Sequence, residues 1–198
     1  METIRGRRSL DLDLTGLNNR LANYTRVILD LGTGDGRYVH HLAEKNPRWF
    51  VIGVDSCREN LHEHSRSKLP NMLFVIASAQ ELPRELNGLV SHITINFPWG
   101  SLLESLLNSD SKLMCGLESI SRTVTSLDLR LNGGAMAEVG TILEAGAKKI
   151  HNNLLRAGWQ VDDPAQLDAH ALRGFPTTWA KRLAFGRDPR AIQLSGHI

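Results

Sequence analysis

The run Val27-Ile28-Leu29-Asp30-Leu31 passes directly into Gly32-Thr33-Gly34-Asp35-Gly36, and this junction constrains the chain more than any other feature. A short β-branched, apolar run that ends at glycines reads as a buried strand followed by a tight turn. Similar runs recur at 50–55, 72–76, 91–96 and 122–129. The intervening segments 38–45, 58–68, 101–107 and 112–120 suit helices. Parallel strands need a crossover of a dozen or more residues, so this alternation predicts a parallel sheet with helices packed on it. Beyond Leu131, Asn132-Gly133-Gly134 reads as a loop and 142–157 as a helix closed by Gly158. Trp159–Asp162 supplies a sixth strand and Ala191–Ser195 a seventh, expected to be antiparallel.

The expected fold class is therefore α/β: a Rossmann-like, seven-stranded, mostly parallel sheet with helices on both faces. At 198 residues the chain fits a single domain, 1–198, with an N-terminal extension over about 1–25. Its composition, 41% hydrophobic and 22% charged, is that of a soluble globular protein. No apolar run approaches the roughly 20 residues of a membrane helix, and no secretory signal is visible, so no membrane role is expected. Cys57 and Cys115 are too few for a disulfide framework or a zinc site, and read as reduced thiols in a cytoplasmic protein. His40 and His41 are adjacent and His62 and His64 two apart, spacings that do not share a helical face, so no metal is expected.

In open α/β sheets, ligands bind beyond the carboxyl ends of the strands, where residues 30–36 lie. A dinucleotide fingerprint would place its third glycine at 37, which is Arg37. The pattern here is Gly-x-Gly-x-Gly with Asp35 inside it, an unfavourable neighbour for pyrophosphate. It suits S-adenosylmethionine, which has no phosphate and carries an ammonium and a sulfonium. Asp55 ends the second strand, where a carboxylate can accept hydrogen bonds from both ribose hydroxyls. The stretch after the third strand, Ser78-Ala79-Gln80, has a serine where methyltransferases commonly carry an acid, so adenine is expected to meet backbone and Gln80. The expected cofactor contacts are Asp30, Gly32, Thr33, Gly34, Asp35, Gly36, Asp55, Ser56, Ala79, Gln80, Asn96 and Ser101. The domain thus reads as a class I methyltransferase.

Asn96-Phe97-Pro98-Trp99 ends the fourth strand, beside the expected position of the transferable methyl. Amino-directed nucleic-acid methyltransferases often carry Asn-Pro-Pro-aromatic there, and this chain departs in having Phe97. A second tryptophan, Trp179, lies in a basic stretch: from Arg173 to Arg190 there are Arg173, Lys181, Arg182, Arg187 and Arg190 against the single acid Asp188. Such clustering is the footprint of a phosphate-binding surface. Two tryptophans can hold a base between them, with stacking contributing roughly 1–3 kcal/mol. Trp49 and Trp159, each opening an apolar strand, are assigned to the core.

Four stretches, Asp-Leu-Gly-Thr-Gly-Asp-Gly-Arg (30–37), Phe-Pro-Trp-Gly (97–100), Trp-Ala-Lys-Arg-Leu-Ala-Phe-Gly-Arg (179–187) and Ser-Gly-His (195–197), resemble the aminoglycoside-resistance 16S rRNA (adenine-1408-N1)-methyltransferases. The resemblance runs from about Asp30 to the C-terminus, and 179–187 is its most specific part. It implies that Trp99 and Trp179 hold the flipped adenine, that Arg182 and Arg187 contact rRNA, and that the 30S subunit is the partner. Arg7, Arg8, Arg66, Lys68 and Lys181 are the further expected RNA contacts, and the chain is expected to act as a monomer. Region 130–145 is short and nearly uncharged, and the segment ending at Lys68 has few lysines for this family. Adenine N1 has an in-plane lone pair and no proton to lose, so no general base is expected. Two alternatives stand beside this reading: another RNA methyltransferase, such as a tRNA guanine-N7 enzyme, and a silent cofactor- and RNA-binding protein. A nicotinamide oxidoreductase is disfavoured by Arg37.

Overall fold

In the computed structural model, which describes residues 1–185 and 189–198, the N-terminal extension is folded. β1 (Glu2–Arg5) and β2 (Arg8–Asp11) form a hairpin through Gly6-Arg7, with Gly6 at φ +62°, the geometry of a two-residue turn with glycine first. α1 (Leu14–Leu21) follows, its first turn capped by the Asp13 carboxylate, which accepts from the Gly16 N–H at 2.7 Å. The alternation then runs β3 (Arg26–Leu31), α2 (Arg37–Lys45), β4 (Trp49–Asp55), β5 (Met72–Ile76), β6 (Val90–Asn96), α3 (Gly100–Asn108), α4 (Ser111–Ile120) and β7 (Ser121–Asn132). The C-terminal part comprises α5 (Gly133–Glu138), α6 (Leu143–Arg156), β8 (Gln160–Val161), β9 (Ala165–Leu167), α7 (Ala169–Gly174), α8 (Thr178–Ala184) and β10 (Ala191–His197).

The strand order is β2-β1-β5-β4-β3-β6-β7-β10-β8, with β9 also pairing to β10. β5, β4, β3, β6 and β7 are mutually parallel, and β10 runs antiparallel between β7 and β8. The seven strands read from the sequence are all present; the hairpin and β9 raise the count to ten. Alternate residues of β3 serve opposite faces. Val27, Leu29 and Leu31 join Leu17 of α1 and the apolar sides of α3, α4 and α6. Ile28 joins Val39 and Ala43 of α2 with Phe74 and Leu61. Each such fully buried Val, Leu, Ile or Phe side chain contributes about 1.5–3 kcal/mol.

Three expectations need correction, the first being that Asn132-Gly133-Gly134 is a loop: Asn132 ends β7 and caps α5, its side chain accepting from the Ala135 N–H at 2.8 Å. Residues 58–68 are not one helix but two 3-10 turns, Asn60–His62 and His64–Arg66. Only Leu61 in that segment is apolar, so no stripe exists to hold a longer helix against the sheet. Trp49 is half-buried at the sheet's end beneath the Arg26 guanidinium, 5.5 Å from its ring, whereas Trp159 is buried in the main core. Among the described residues, no helix is long and apolar enough to cross a membrane.

Candidate active site

The carboxyl ends of β3, β4 and β6 surround a cavity of about 500 Å³. Gly32 and Gly34 turn the chain over it in the left-handed region, at φ +71° and +57°. A Cβ on Gly32 would stand 2.7 Å from Cδ2 of Leu102, so glycine is required there by space as well as by backbone angle. The Gly34 N–H donates to Asp55 Oδ2 at 2.8 Å, and the Cys57 N–H donates to Asp55 Oδ1 at 2.8 Å. Each carboxylate oxygen retains acceptor capacity towards the cavity. Burial raises the Asp55 carboxyl, and these backbone donors oppose the rise.

Asp30 is the buried charge of the floor. Its Oδ1 accepts from Thr94 Oγ1 at 2.7 Å and from Asn96 Nδ2 at 2.8 Å. Burial pushes its carboxyl up to about 6 against these hydrogen bonds and the nearby Arg130. The Thr33 hydroxyl, close enough to favour the carboxylate, lies outside strict hydrogen-bond geometry and is buried with no other partner. Arg130 is itself only 8% exposed. Its Nη1 donates to Asn96 Oδ1 at 2.9 Å, and its Nη2 lies 3.5 Å from Asp128. Both ends of the Asn96 amide are thus engaged inside the protein.

The turn after Asn96 is strained. Phe97 has φ +55°, a region that a β-carbon disfavours, and its N–H donates to the Arg130 carbonyl at 2.7 Å. Proline, fixed near −65°, cannot take that position. The departure from Asn-Pro-Pro is therefore a different backbone turn. The strain is held by packing, since Phe97 is buried with Leu172, Ala180, Leu183 and Ala191. Trp99 follows at the cavity wall, and Trp179 stacks on it with ring centroids 5.0 Å apart and planes 29° from parallel. The Arg182 guanidinium covers Trp179 at 5.2 Å. A base between two rings needs about 7 Å, two van der Waals contacts of roughly 3.5 Å each. The pair as it stands is closed, and taking in an adenine requires it to open by about 2 Å.

Trp179 stands on α8, whose Thr177 cap accepts from the Ala180 N–H at 2.9 Å. Two contacts tie this helix to the cofactor side. Thr178 Oγ1 donates to Asp35 Oδ2 at 3.0 Å. Phe175 stacks on Tyr38 at 5.1 Å, lies 4.4 Å from the Arg130 guanidinium, and meets Phe97 edge-on at 6.2 Å.

Of the expected cofactor contacts, Asp30, Gly32, Thr33, Gly34, Asp35, Asp55, Ser56, Ala79, Asn96 and Ser101 line the cavity, together with both tryptophans. Two do not. Gly36 sits below the loop at φ +75°, where a Cβ would be 2.5 Å from the Phe74 ring, so its role is packing. Gln80 accepts from Ser78 Oγ and donates to Ser105 Oγ at 2.7 Å, which ties its amide to α3 away from the cavity wall. Tyr38, Asn60, Thr177 and Thr178 line the cavity without having been singled out in the sequence, as does Arg182, foreseen only as an RNA contact. Lys181 and Arg182 are exposed on α8. Arg7, Arg8, Arg66 and Lys68 are exposed at the opposite edge of the sheet, and Arg187 lies outside the described residues. Among the described residues no three His, Cys, Asp or Glu side chains gather as a metal site.

The donor set fits S-adenosylmethionine. A buried carboxylate and the unpartnered Thr33 hydroxyl face a cavity that also presents Asp55 from the second strand. The comparisons with known proteins agree. A family model described as NpmA, 16S rRNA (adenine(1408)-N(1))-methyltransferase, matches residues 2–198. The chain is 31% identical to a 16S rRNA (adenine(1408)-N(1))-methyltransferase of Escherichia coli, over 100% of this chain and 99% of that protein. It is 30% identical to one from Streptoalloteichus hindustanus with the same coverage. The solved structure of the 16S rRNA methyltransferase KamB superposes with a TM-score of 0.90 at 29% identity, covering 100% of this chain and 99% of that one. The aminoglycoside resistance methyltransferase NpmB1 superposes with a TM-score of 0.83 at 30% identity, over 99% and 98%. Sequence, site and fold thus place the chain in the 16S rRNA (adenine(1408)-N(1))-methyltransferase family.

Proposed function

We propose that this chain methylates N1 of adenosine 1408 of 16S rRNA within the 30S subunit, acting as a single-domain monomer. The observation that carries this reading is the Trp99–Trp179 pair, stacked at the wall of the cavity that also presents Asp30 and Asp55. Asp30, Thr33 and Asp55 would hold the amino-acid and ribose parts of S-adenosylmethionine, and the bound cofactor supplies an electrophilic methyl on sulfur. The N1 lone pair would take that methyl, the bonding pair of the broken carbon–sulfur bond remaining on sulfur. No proton moves. The protein's part is orientation, which can supply up to roughly 7–11 kcal/mol.

Asn96 is held from both ends, its carbonyl accepting from Arg130 and its amide donating to Asp30, and the choice of N1 over the exocyclic amine follows the target named for the relatives. Resistance to aminoglycosides, the property by which NpmB1 is described, is the expected consequence.

Transfer of tritium from labelled S-adenosylmethionine to purified 30S subunits, with primer-extension mapping, tests the reading. A stop at adenosine 1408 that Trp179→Ala abolishes, with cofactor affinity retained, is expected. Label at another nucleotide refutes the assignment of the target. No label on 30S, with cofactor still bound, refutes the assignment of the substrate.

A further inference from the structure

Among the described residues, two charged side chains are buried, Asp30 and Arg130. Asp30 lines the cavity and Arg130 does not. Burying a guanidinium is costly unless its donors find partners. The Asn96 amide stands between the two charges, donating to Asp30 Oδ1 at 2.8 Å and accepting from Arg130 Nη1 at 2.9 Å. The other arm of Arg130, Nη2, lies 3.5 Å from Asp128 Oδ2, and Ser195 Oγ donates to Asp128 Oδ1 at 2.7 Å. Its positive charge is thus neutralised by a carboxylate outside the cavity lining.

Arg130 also meets both segments that carry the tryptophan pair. It stands opposite Asn96 in the β6–β7 ladder, and its carbonyl accepts from the Phe97 N–H at 2.7 Å. Phe97 is the residue held at φ +55°, and its chain leads through Pro98 to Trp99. On the other side, the Arg130 guanidinium lies over the Phe175 ring, 4.4 Å from its centroid. The Phe175 carbonyl accepts from the Thr177 N–H at 2.9 Å, and Thr177 caps the helix that bears Trp179. Phe97 and Phe175 meet edge to face at 6.2 Å. One residue therefore fixes the approach to Trp99, the approach to Trp179 and the amide on the cofactor floor.

We propose that Arg130 is a positioning residue for methyl transfer, setting the separation and tilt of Trp99 and Trp179 relative to the cofactor floor. The proposal rests on the reading of the chain as an rRNA methyltransferase. Arg130 stays behind the cavity wall and acts through Asn96, Phe97 and Phe175. A planar guanidinium suits this task, because it donates within its plane to Asn96 and presents its face to Phe175. Lysine, a point charge on a flexible stem, supplies the charge without that geometry. In-line transfer depends on where the two rings hold the base, so a small shift of either ring is felt in the rate.

The test compares Arg130→Lys, Phe175→Ala and the double variant with the unchanged chain. In Arg130→Lys, kcat for 30S methylation is expected to fall on the order of 10- to 100-fold, the cost of misplacing the reacting groups slightly. Cofactor affinity and KM for 30S should change by less than about threefold, since Asn96 still donates to Asp30. The stacked tryptophans give an exciton couplet in far-ultraviolet circular dichroism, identified by its loss in Trp179→Ala. That couplet should weaken in Arg130→Lys before any substrate is added. Adding Phe175→Ala to Arg130→Lys should lower kcat by less than about threefold more, because both changes break one linkage. Full multiplication of the two losses overturns the proposal, as does an unchanged kcat or an unchanged couplet. A parallel fall of kcat, cofactor affinity and Tm marks a structural role and also overturns it. If Arg130→Lys does not fold, Arg130→Gln/Asp128→Asn, which removes both charges together, is judged by the same criteria. If the unchanged chain does not methylate 30S, the function reading falls by itself, and the couplet in the same variants decides the role of Arg130 separately.

Discussion

The two walls of the active-site cavity are made in different ways. The cofactor wall is backbone: loops leaving three parallel strands, glycines at positive φ, and a carboxylate held by Thr94 and Asn96 from the adjacent strand. The acceptor wall is side chains, Trp99 after β6 and those of α8, which with α7 forms a pair of helices of six and seven residues resting on a small cluster of their own, apart from the main core. Isolated helices that short have no stability of their own and depend on packing. The first wall is therefore rigid by construction, whereas the second owes its position to a few contacts. Cofactor binding and methyl transfer should be separable by mutation.

The largest effect is expected at Asp30. Replacing it with Asn keeps an Oδ1 that can accept from both Thr94 and Asn96, removes the buried charge, and turns the second oxygen from an acceptor into a donor. Cofactor affinity should fall by at least about 100-fold, because an ion–ion contact in a buried site is lost, about 2.7 kcal/mol. The fold should not suffer. Burial pushes the Asp30 carboxyl from its ordinary 3.8 up to about 6, so keeping it ionised costs the folded state on the order of a few kcal/mol. That cost is fully present above pH 6 and vanishes as pH falls towards 3.8. Asp30→Asn should accordingly match or raise the Tm at pH 7.5. In the unchanged chain, calorimetric affinity for S-adenosylmethionine should be flat above pH 6 and weaken about tenfold per unit below it. A pH-independent affinity between 5 and 7 would remove Asp30 as the cation's partner.

The same contrast explains what was legible in the sequence. The cofactor wall is written locally: an apolar β-branched run, glycines at fixed spacing, and Asp55 at the end of the next strand. The acceptor wall is assembled from distant positions. Thr178 and Asp35 are 143 residues apart, and Phe175 lies against Tyr38, Phe97 and Arg130 from three other elements. Neither threonine nor phenylalanine signals such a partner. α7 and α8 are too short to show a helical period, and the left-handed turn at Phe97 belongs to a residue type that rarely adopts it. Gln80 was misplaced for the converse reason: a polar side chain beside the site found Ser78 and Ser105 first. The hairpin was missed, residues 1–25 reading only as an extension, because Glu2–Arg5 and Arg8–Asp11 are four-residue strands whose burial does not alternate.

A second effect, smaller than that at Asp30, is expected at Phe175. Truncation to Ala removes the stack on Tyr38 and the contact with the Arg130 guanidinium, each worth about 1 kcal/mol. If that energy positions α8, kcat for 30S methylation should drop by about 30-fold, equivalent to about 2 kcal/mol in the barrier. Cofactor affinity should change by less than about twofold, since Phe175 does not line the cavity. Restoration by Phe175→Tyr, which keeps the ring, would tie the loss to the stack. An equal loss in Phe175→Ala of kcat and of cofactor affinity would erase the distinction between the walls.

The smallest effect lies at the one hydrogen bond that, among the described residues, joins the two walls directly. Thr178 Oγ1 donates to Asp35 Oδ2 at 3.0 Å, while Asp35 Oδ1 accepts from the Arg37 N–H at 3.0 Å and keeps the carboxylate aimed. The Asp35 side chain is 41% exposed, so water competes and the bond contributes about 0.5–1 kcal/mol rather than the full strength of a charged pair. Thr178→Val preserves shape and removes the donor, and methylation should fall about threefold. A simple packing effect would give a similar number, so the discriminating measurement is a double-mutant cycle. Asp35→Ala should cost cofactor affinity by itself, but combining it with Thr178→Val should add less than the sum by about 0.5–1 kcal/mol in kcat/KM. Full additivity would mean that the glycine loop and the tryptophan helix do not communicate through this bond, leaving the Phe175 stack as their connection.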